Sequence, residues 1–347
     1  MRKFNVLDLF SGAGGLSYGF KLAGFKIAGA VEWDKAAMET HKKNFNSGFE
    51  YCGDIKDITD DTILSIKNID VIIGGPPCQG FSSANRQEKE LNDPRNKLFY
   101  EYLRFIRILE PKIFVIENVK EILTKDNGFA KKRILELTEK MGYNVSVKVL
   151  DASNYGVPQV RRRAIFVGIK KDLCYLFDFD NLKQVKKPVT VYEAIGDICY
   201  PDLNMSNEFL KYAKDSDTLY NHNPKFPNDK VKERISYVPQ GGNWRNVPEH
   251  LWDTKRTNRH SSAYKRLAFD EPSITIDTGH MNYFHPVENR VPTVRESARL
   301  QSFPDSFIFC GNQSEQYRQV GNAVPPLLGK AIATQIMKIL KEKVNEN

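Results

Sequence analysis

The sequence has few cysteines and no long apolar run, and each shortage excludes a class of protein. Its five cysteines are an odd number without a Cys-x-x-Cys pair, which argues against a disulfide framework and a zinc site. The first nine residues carry two basic side chains and an apolar run too short and too polar for a signal peptide or membrane span. We therefore expect a cytoplasmic protein with reduced thiols and no metal.

Acidic residues are outnumbered by basic ones. The chain has 51 Lys and Arg against 43 Asp and Glu, for a formal net charge of +8. The segment from Lys225 to Arg266 alone holds ten Lys and Arg against four Asp and Glu. This concentration favours a polyanionic partner, although a solvated basic surface would have the same composition.

Apolar residues make up 41% of the chain, which is enough for a core. Short apolar runs alternate with amphipathic stretches up to about residue 170, as in a doubly wound, mostly parallel α/β sheet. Strands are predicted at Phe4–Leu9, Lys26–Val31, Asp70–Ile73, Lys112–Ile116, Tyr143–Leu150 and Ala164–Ile169. Helices are predicted at Gly15–Ala23, Lys35–Asn44, Lys97–Leu109 and Ala130–Met141.

This alternation stops after Asp172. Residues 188–292 are rich in Pro, Asn, Gly and charge, with only short β-like runs such as Ser273–Asp277, and they predict a second, smaller domain of irregular and β structure. A helical period returns from Pro325 to Val344, where we expect the chain to pack on the first domain. The predicted division is 1–185 with 318–347 for the larger domain and 186–317 for the smaller.

Three polar loops are predicted at the carboxyl end of the sheet. The first, Asp8 to Gly15, is glycine-rich but lacks the Gly-x-Gly-x-x-Gly spacing that cradles a pyrophosphate. In the second, Glu32 could accept hydrogen bonds from ribose hydroxyls and Trp33 could stack on adenine; in the third, Asp54 could accept from the adenine amino group. Separately, each has a structural alternative, such as a capping carboxylate beside a half-buried core tryptophan. Together they favour a nucleoside cofactor without a pyrophosphate.

A rigid loop presents one of the cysteines. Two prolines precede Cys78 in the stretch Gly74-Gly-Pro-Pro-Cys-Gln-Gly-Phe-Ser82, and they would fix the direction in which the thiol is presented. Cys78 is therefore the candidate nucleophile. A buried cysteine that packs as a small apolar residue is the alternative.

The ordered motifs resemble those of the DNA (cytosine-5)-methyltransferases, in the compact form found in bacterial restriction-modification systems. The similarity runs from Asp8 to Pro325 and so covers nearly the whole chain. Besides the glycine loop and Pro-Pro-Cys, the matching motifs are Asp93-Pro-Arg-Asn-Lys-Leu98, Glu117-Asn-Val119, Gln159-Val-Arg-Arg-Arg163, Arg295-Glu-Ser-Ala-Arg-Leu-Gln-Ser-Phe-Pro-Asp305 and Gln319-Val-Gly-Asn-Ala-Val-Pro325.

The resemblance implies a Rossmann-like class I methyltransferase domain, a smaller target-recognition domain, and DNA in the cleft between them. Such an enzyme transfers a methyl group from S-adenosyl-L-methionine to carbon 5 of a cytosine flipped out of a short, specific double-stranded sequence. It further implies a monomer in the cytoplasm, associated with the nucleoid, that modifies DNA for a restriction-modification system. A cognate endonuclease would act on the same site without a stable complex.

The resemblance also assigns residues. Cys78 would add to carbon 6 of the cytosine, Glu117 would supply a proton at N3, and Arg161 and Arg163 would hold the base carbonyl and a nearby phosphate. Gln79 and Ser82 would contact DNA from the loop after Cys78, and Arg245, Arg259 and Asn282 from the smaller domain. The implied cofactor contacts are Phe10, Ser11, Gly12, Gly14, Gly15, Leu16, Glu32, Trp33, Asp54, Ile55, Pro76, Leu98, Asn322 and Ala323.

Three alternatives are weighed against this prediction. RNA cytosine-5 methyltransferases of the same family, which act on transfer RNA, carry a Cys-Phe-Thr signature that this sequence lacks. Amino-methyltransferases use Asp- or Asn-Pro-Pro-aromatic loops, because an exocyclic amine needs no covalent step. A catalytically silent DNA-binding homologue would have no need to keep Cys78, Glu117 and the glycine loop.

Overall fold

The structure is a computed structural model that describes residues 3–77, 94–252, 263–279 and 282–345. Its contacts divide the chain into two units. The first comprises Met1–Asp151, Arg162–Lys183 and Pro326–Asn347, and the second comprises Ala152–Arg161 and Gln184–Pro325. This division differs from the predicted one at three boundaries. The ten-residue stretch before Arg162 joins the second unit, the first unit ends at Lys183 instead of 185, and the chain returns to the first unit at Pro326 instead of 318.

A seven-stranded sheet forms the centre of the first unit, in the order β3-β2-β1-β4-β5-β7-β6. Its strands are β1 (Asn5–Leu9), β2 (Lys26–Glu32), β3 (Phe49–Cys52), β4 (Val71–Gly74), β5 (Ile113–Val119), β6 (Tyr143–Asp151) and β7 (Arg162–Lys170). Strands β1 to β5 pair in parallel, while β7 is antiparallel to both β5 and β6. The mostly parallel, doubly wound sheet predicted from the sequence is confirmed.

The connections reverse direction between β1 and β4. The chain moves outward from β1 to β2 and β3, and then crosses to β4 on the other side of β1. In open parallel sheets, ligands bind outside the carboxyl ends of the strands at such a switch point. The glycine loop after β1 and the Pro-Pro segment after β4 both start there.

Helices in the first unit connect the parallel strands and cover the sheet. They are α1 (Gly15–Leu22), α2 (Lys35–Asn44), α3 (Asp60–Ser65), α4 (Pro94–Leu109) and α5 (Lys125–Lys140). Asp34 caps α2 by accepting from the N–H of Ala37, and Thr59 caps α3 in the same way. Helix α4 buries Phe99, Leu103 and Ile106 at helical spacing in the core of the unit.

The second unit contains more helix than the sequence pattern predicted. Its described residues form α6 (Val191–Cys199), α7 (Glu208–Ala213), α8 (Asp229–Ser236), α9 (Val294–Leu300) and α10 (Gln313–Asn322), with the two-residue strands β8 (Lys265–Arg266) and β9 (Tyr283–Phe284). The β-like run Ser273–Asp277 is not a strand, because only Ser273 pairs, in an isolated bridge with Gln159. Helices of six to ten residues are too short to give a clear period, and capping boxes at α6, α9 and α10 define their starts instead.

Buried arginines bind the irregular segments of the second unit. Arg266 donates to the carbonyls of Ile235 (2.7 Å), His285 (3.0 Å) and Glu288 (3.1 Å). Arg299 pairs with Asp305 (2.7 Å). A guanidinium offers five donors in a planar fork, so one side chain can bind several carbonyls, here at the end of α8 and in the segment after β9.

The last helix, α11 (Pro326–Asn345), belongs to the first unit and agrees closely with the predicted helical segment. It crosses α1 at Gly19, where a Cβ would lie 2.6 Å from the backbone N of Lys330. Only glycine permits this approach. In the described part of the chain, no helix combines the length and apolarity needed to cross a membrane.

Candidate active site

The glycine loop turns sharply at the carboxyl end of β1. Phe10 (φ 60°), Gly12 (φ 54°) and Gly14 (φ 91°) all have left-handed backbone conformations. At Gly14 a Cβ would lie 2.5 Å from the Phe45 ring and 2.9 Å from the His41 ring, so any side chain at this position would clash with both rings. The loop is anchored at Ser11, whose N–H donates to the carbonyl of Val31 on β2 (3.1 Å).

Two predicted cofactor residues, Gly15 and Leu16, form the first turn of α1, and both are buried. Their backbone direction is set by the loop, because Gly14 is the N-cap of this helix.

Glu32 ties the end of β2 to the glycine loop. Its carboxylate accepts the backbone N–H groups of Gly12 (2.8 Å), Trp33 (3.0 Å) and Asp34 (2.9 Å). Burial raises the pKa of Glu32 above its ordinary value, although these three bonds oppose the rise. The residue predicted to bind ribose is therefore also part of the loop's own structure, which the sequence did not indicate.

Trp33 offers an open aromatic face next to this carboxylate. Its side chain is 79% exposed, so it is not the half-buried core residue weighed as an alternative. Such an exposed ring can stack on a flat ligand such as adenine.

The third loop follows β3. The Gly53 N–H donates to the carbonyl of Glu32 (3.0 Å), which brings this loop beside the second. Asp54 is exposed enough to contact a ligand, and its carboxylate pairs with Lys56 (2.9 Å), whose ammonium lowers the pKa of Asp54. Ile55 is buried in the core and begins a short 3₁₀ turn.

The segment before Cys78 lies against the end of β5. Pro76 is buried, and its carbonyl accepts from the side-chain amide of Asn118 (2.9 Å). A Cβ on Gly75 would lie 3.1 Å from a Glu117 carboxyl oxygen, so glycine allows this carboxyl close to the chain. Leu98, on α4, is partly buried against the core of the same unit.

Glu117 and Arg163 form an ion pair. The Arg163 Nε lies 3.0 Å from a Glu117 carboxyl oxygen, and both side chains are mostly buried. The antiparallel pairing explains the contact, because Arg163 stands opposite Val119 on β5, diagonally from Glu117. Arg162, between the other two arginines of its motif, points outward and pairs with Asp151 (3.1 Å).

Arg161 has a different environment from Arg163. It is buried in the second unit and donates to the carbonyls of Ile276 (3.2 Å) and Gly321 (2.9 Å). These bonds give it a structural role that the sequence did not indicate, and its predicted contact with the base stays a prediction.

Several predicted site residues lie outside the described residues: the nucleophile Cys78, and the DNA contacts Gln79, Ser82 and Arg259. Asn322 and Ala323, predicted to contact the cofactor, lie at the end of α10 in the second unit. These assignments also remain predictions.

Two predicted DNA contacts are described in the second unit. Arg245 is exposed, and its guanidinium lies over the ring of the buried Trp244, 5.2 Å from the centroid. Asn282 is exposed and donates to the carboxylate of Asp277 (2.8 Å). Arg266, counted above in the basic cluster, is buried and therefore adds nothing to a DNA-binding surface.

The strand order, the glycine loop at the switch point and the carboxylates that end β2 and follow β3 define a class I methyltransferase fold. The sequence model for C-5 cytosine-specific DNA methylases matches residues 4–338. The chain therefore belongs to the C-5 cytosine-specific DNA methylase family. The family and enzyme class predicted from the sequence are thus confirmed.

Individual relatives support this family membership. The chain is 38% identical over 339 residues to the Type II methyltransferase M1.HphI of Haemophilus parahaemolyticus, covering 96% of this chain and 86% of the relative. It is 36% identical to M.DdeI of Desulfomicrobium norvegicum, with coverages of 96% and 88%. Among solved structures, a putative prophage-encoded DNA modification methyltransferase of E. coli aligns at a TM-score of 0.79 and 29% identity, covering 98% of this chain and 100% of the other.

Proposed function

We propose that this chain transfers a methyl group from S-adenosyl-L-methionine to carbon 5 of one cytosine in a short double-stranded DNA sequence, through base flipping and a covalent bond to Cys78. The observation that carries the proposal is the approach of the Glu117 carboxyl to Gly75. Cys78 is three residues after Gly75, so the chain between them spans at most roughly 10 Å. The Glu117 carboxyl and the Cys78 thiol can therefore both reach the same cytosine ring. The strand ends that carry them are neighbours in the sheet.

The covalent step explains why these two groups are needed. The Cys78 thiolate adds to carbon 6 of the flipped cytosine, and the electron pair moves into the ring as Glu117 supplies a proton at N3. Carbon 5 becomes nucleophilic and takes the methyl group, with S-adenosylhomocysteine as the leaving group. Loss of the carbon 5 proton to a base then expels the thiolate, and the N3 proton returns to Glu117, which leaves a neutral, aromatic 5-methylcytosine.

Arg163 orients Glu117. Its guanidinium lies 3.0 Å from the carboxyl and fixes the direction in which the carboxyl points. Arg163 also remains the candidate contact for the base carbonyl.

The three loops at the sheet edge suit S-adenosyl-L-methionine, which supplies the methyl group. Glu32 and Asp54 accept hydrogen bonds from hydroxyl and amino groups, and Trp33 provides a stacking face. Carboxylates suit an adenosine that carries a sulfonium cation, whereas the same carboxylates would repel a pyrophosphate. We assign the adenine to Trp33 and Asp54 and the ribose to Glu32.

We further propose that the second unit recognises the target sequence through residues 188–292, that the protein acts as a monomer in the cytoplasm, and that a cognate endonuclease recognises the same site. Arg245 supports the assignment because its stacked guanidinium is exposed and already ordered.

Adduct trapping tests the proposed function. Wild type with cofactor should form a complex with 5-fluorocytosine DNA that survives denaturing gels, because fluorine cannot leave as the proton does. Cys78→Ser should form none while it still binds cofactor, and Cys174→Ser, at an exposed cysteine, serves as the matched control. The target is first found by sequencing methylated cytosines in cells that express the chain.

Two results would contradict the proposal. One is the absence of any adduct on DNA that the wild type methylates. The other is methylation of transfer RNA, supplied in parallel, with no methylation of DNA.

A further inference from the structure

Arg104, which no motif above includes, joins α4 to the third polar loop. Its Nη2 donates to the carbonyls of Ile55 (3.2 Å) and Ile58 (2.8 Å). Its Nη1 pairs with Asp60 (2.6 Å) and its Nε with Glu101 on the same helix (2.7 Å). All three guanidinium nitrogens are thus engaged, and the side chain is only 19% exposed.

The two carbonyls lie at the two ends of one turn. Ile55 begins the 3₁₀ turn Ile55–Asp57, and Ile58 is its C-cap. One nitrogen of Arg104 therefore closes the turn from outside. Asp54 is the N-cap of this turn, accepting from the Lys56 N–H (3.1 Å), so the position of its carboxylate depends on the turn.

We propose that Arg104 is a positioning residue for the adenine end of the cofactor site, acting through the Asp54–Ile58 loop without touching the ligand. This inference rests on the proposed function, which assigns the adenine amino group to Asp54. The Glu101 and Asp60 carboxylates fix the orientation of the Arg104 guanidinium. The guanidinium in turn fixes the positions of the Ile55 and Ile58 carbonyls. A lysine at this position keeps the charge but offers no fork to reach all four acceptors.

Cofactor affinity tests the inference, with S-adenosylhomocysteine as the probe in calorimetry. Arg104→Met and Arg104→Lys should raise its Kd about two- to thirtyfold, the usual range for residues that act through a neighbour. Arg107→Met is the matched control, because Arg107 is exposed on the same helix, and it should bind as wild type does. With saturating cofactor, kcat should stay near wild type while KM for the cofactor rises.

A second probe separates positioning from general support of the fold. S-inosylhomocysteine carries an oxygen in place of the adenine amino group, so wild type should bind it more weakly than S-adenosylhomocysteine. The Arg104 variants should lose part of this discrimination, because a displaced Asp54 no longer selects the amino group.

Equal losses for both ligands, together with a lower Tm, would reduce Arg104 to a structural residue and overturn the inference. Wild-type affinity and discrimination in Arg104→Met would overturn it as well. Trp33→Ala reports on the proposed site itself. If that variant binds weakly while Arg104→Met binds normally, only the inference fails; if Trp33→Ala also binds normally, the cofactor site is misplaced and both proposals fall.

Discussion

Replacing Glu32 by alanine should weaken cofactor binding by more than the loss of ribose contacts. The change removes the acceptor of three backbone N–H groups, and the one from Gly12 joins the glycine loop to β2. A hydrogen bond to a charged group contributes about 1.5–3 kcal/mol. If binding must re-form the loop without the Gly12 bond, Kd should rise by a factor of roughly 10–150.

The effect on stability should be smaller than three such bonds suggest. Burial raises the pKa of Glu32, so the buried carboxylate carries a desolvation cost that its removal relieves. We therefore expect the free energy of unfolding to fall by only about 1–3 kcal/mol.

Calorimetric titration with S-adenosylhomocysteine and urea unfolding measure the two quantities on the same variants. Glu32→Gln keeps the shape but replaces one acceptor oxygen with a donor, and should lie between wild type and Glu32→Ala. Glu39→Gln, an exposed glutamate on α2, is the control. Wild-type affinity in Glu32→Ala would refute both the ribose assignment and the role of Glu32 in the glycine loop.

Glu117→Gln should keep DNA binding in a gel-shift assay but lose a factor of about 10²–10⁴ in single-turnover rate, and normal turnover would make Glu117 structural. Burial raises the pKa of Asp8 from 3.8 to about 7. As the pH rises, the unfolded chain therefore loses this proton before the folded chain does. Wild type should lose up to about 4 kcal/mol of stability between pH 4 and 7 relative to Asp8→Asn. A stability difference between the two proteins that does not change with pH would contradict this. Arg245→Ala should weaken binding to the target by about 1–3 kcal/mol if it reads guanine, or lower the salt slope by about one unit if it contacts phosphate, and no change in either would exclude it from the interface.

The sheet could be predicted from sequence because its central strands are buried on both faces. Strands such as β4 and the first half of β5 therefore appear as continuous apolar runs. The exception is β3 (Phe49–Cys52), which the sequence analysis missed. It is a four-residue strand at the edge of the sheet with half-buried side chains, so neither length nor hydrophobicity marks it.

The glycine loop and its neighbours could be predicted because parallel strands bring their carboxyl ends to one edge of the sheet. The glycines after β1, the carboxylates that end β2 and follow β3, and the paired prolines after β4 therefore lie along the same edge of the sheet. What the pattern could not supply is the second role of Glu32, since the partners of its carboxylate are backbone N–H groups. Every residue type except proline carries that donor, so it leaves no trace in the sequence.

The same reasoning explains why arginines were the hardest residues to place. Arg163 contacts a carboxylate, and a sequence motif can preserve both partners of such a pair. Arg161 and Arg266 donate to backbone carbonyls, some of them more than a hundred residues away along the chain, as for Arg161 and Gly321. A carbonyl acceptor carries no residue identity, so composition assigned Arg266 to a basic surface while the fold places it in the interior. Charge clusters therefore overstate a nucleic-acid interface wherever a unit with little regular structure uses guanidinium groups to satisfy its own backbone.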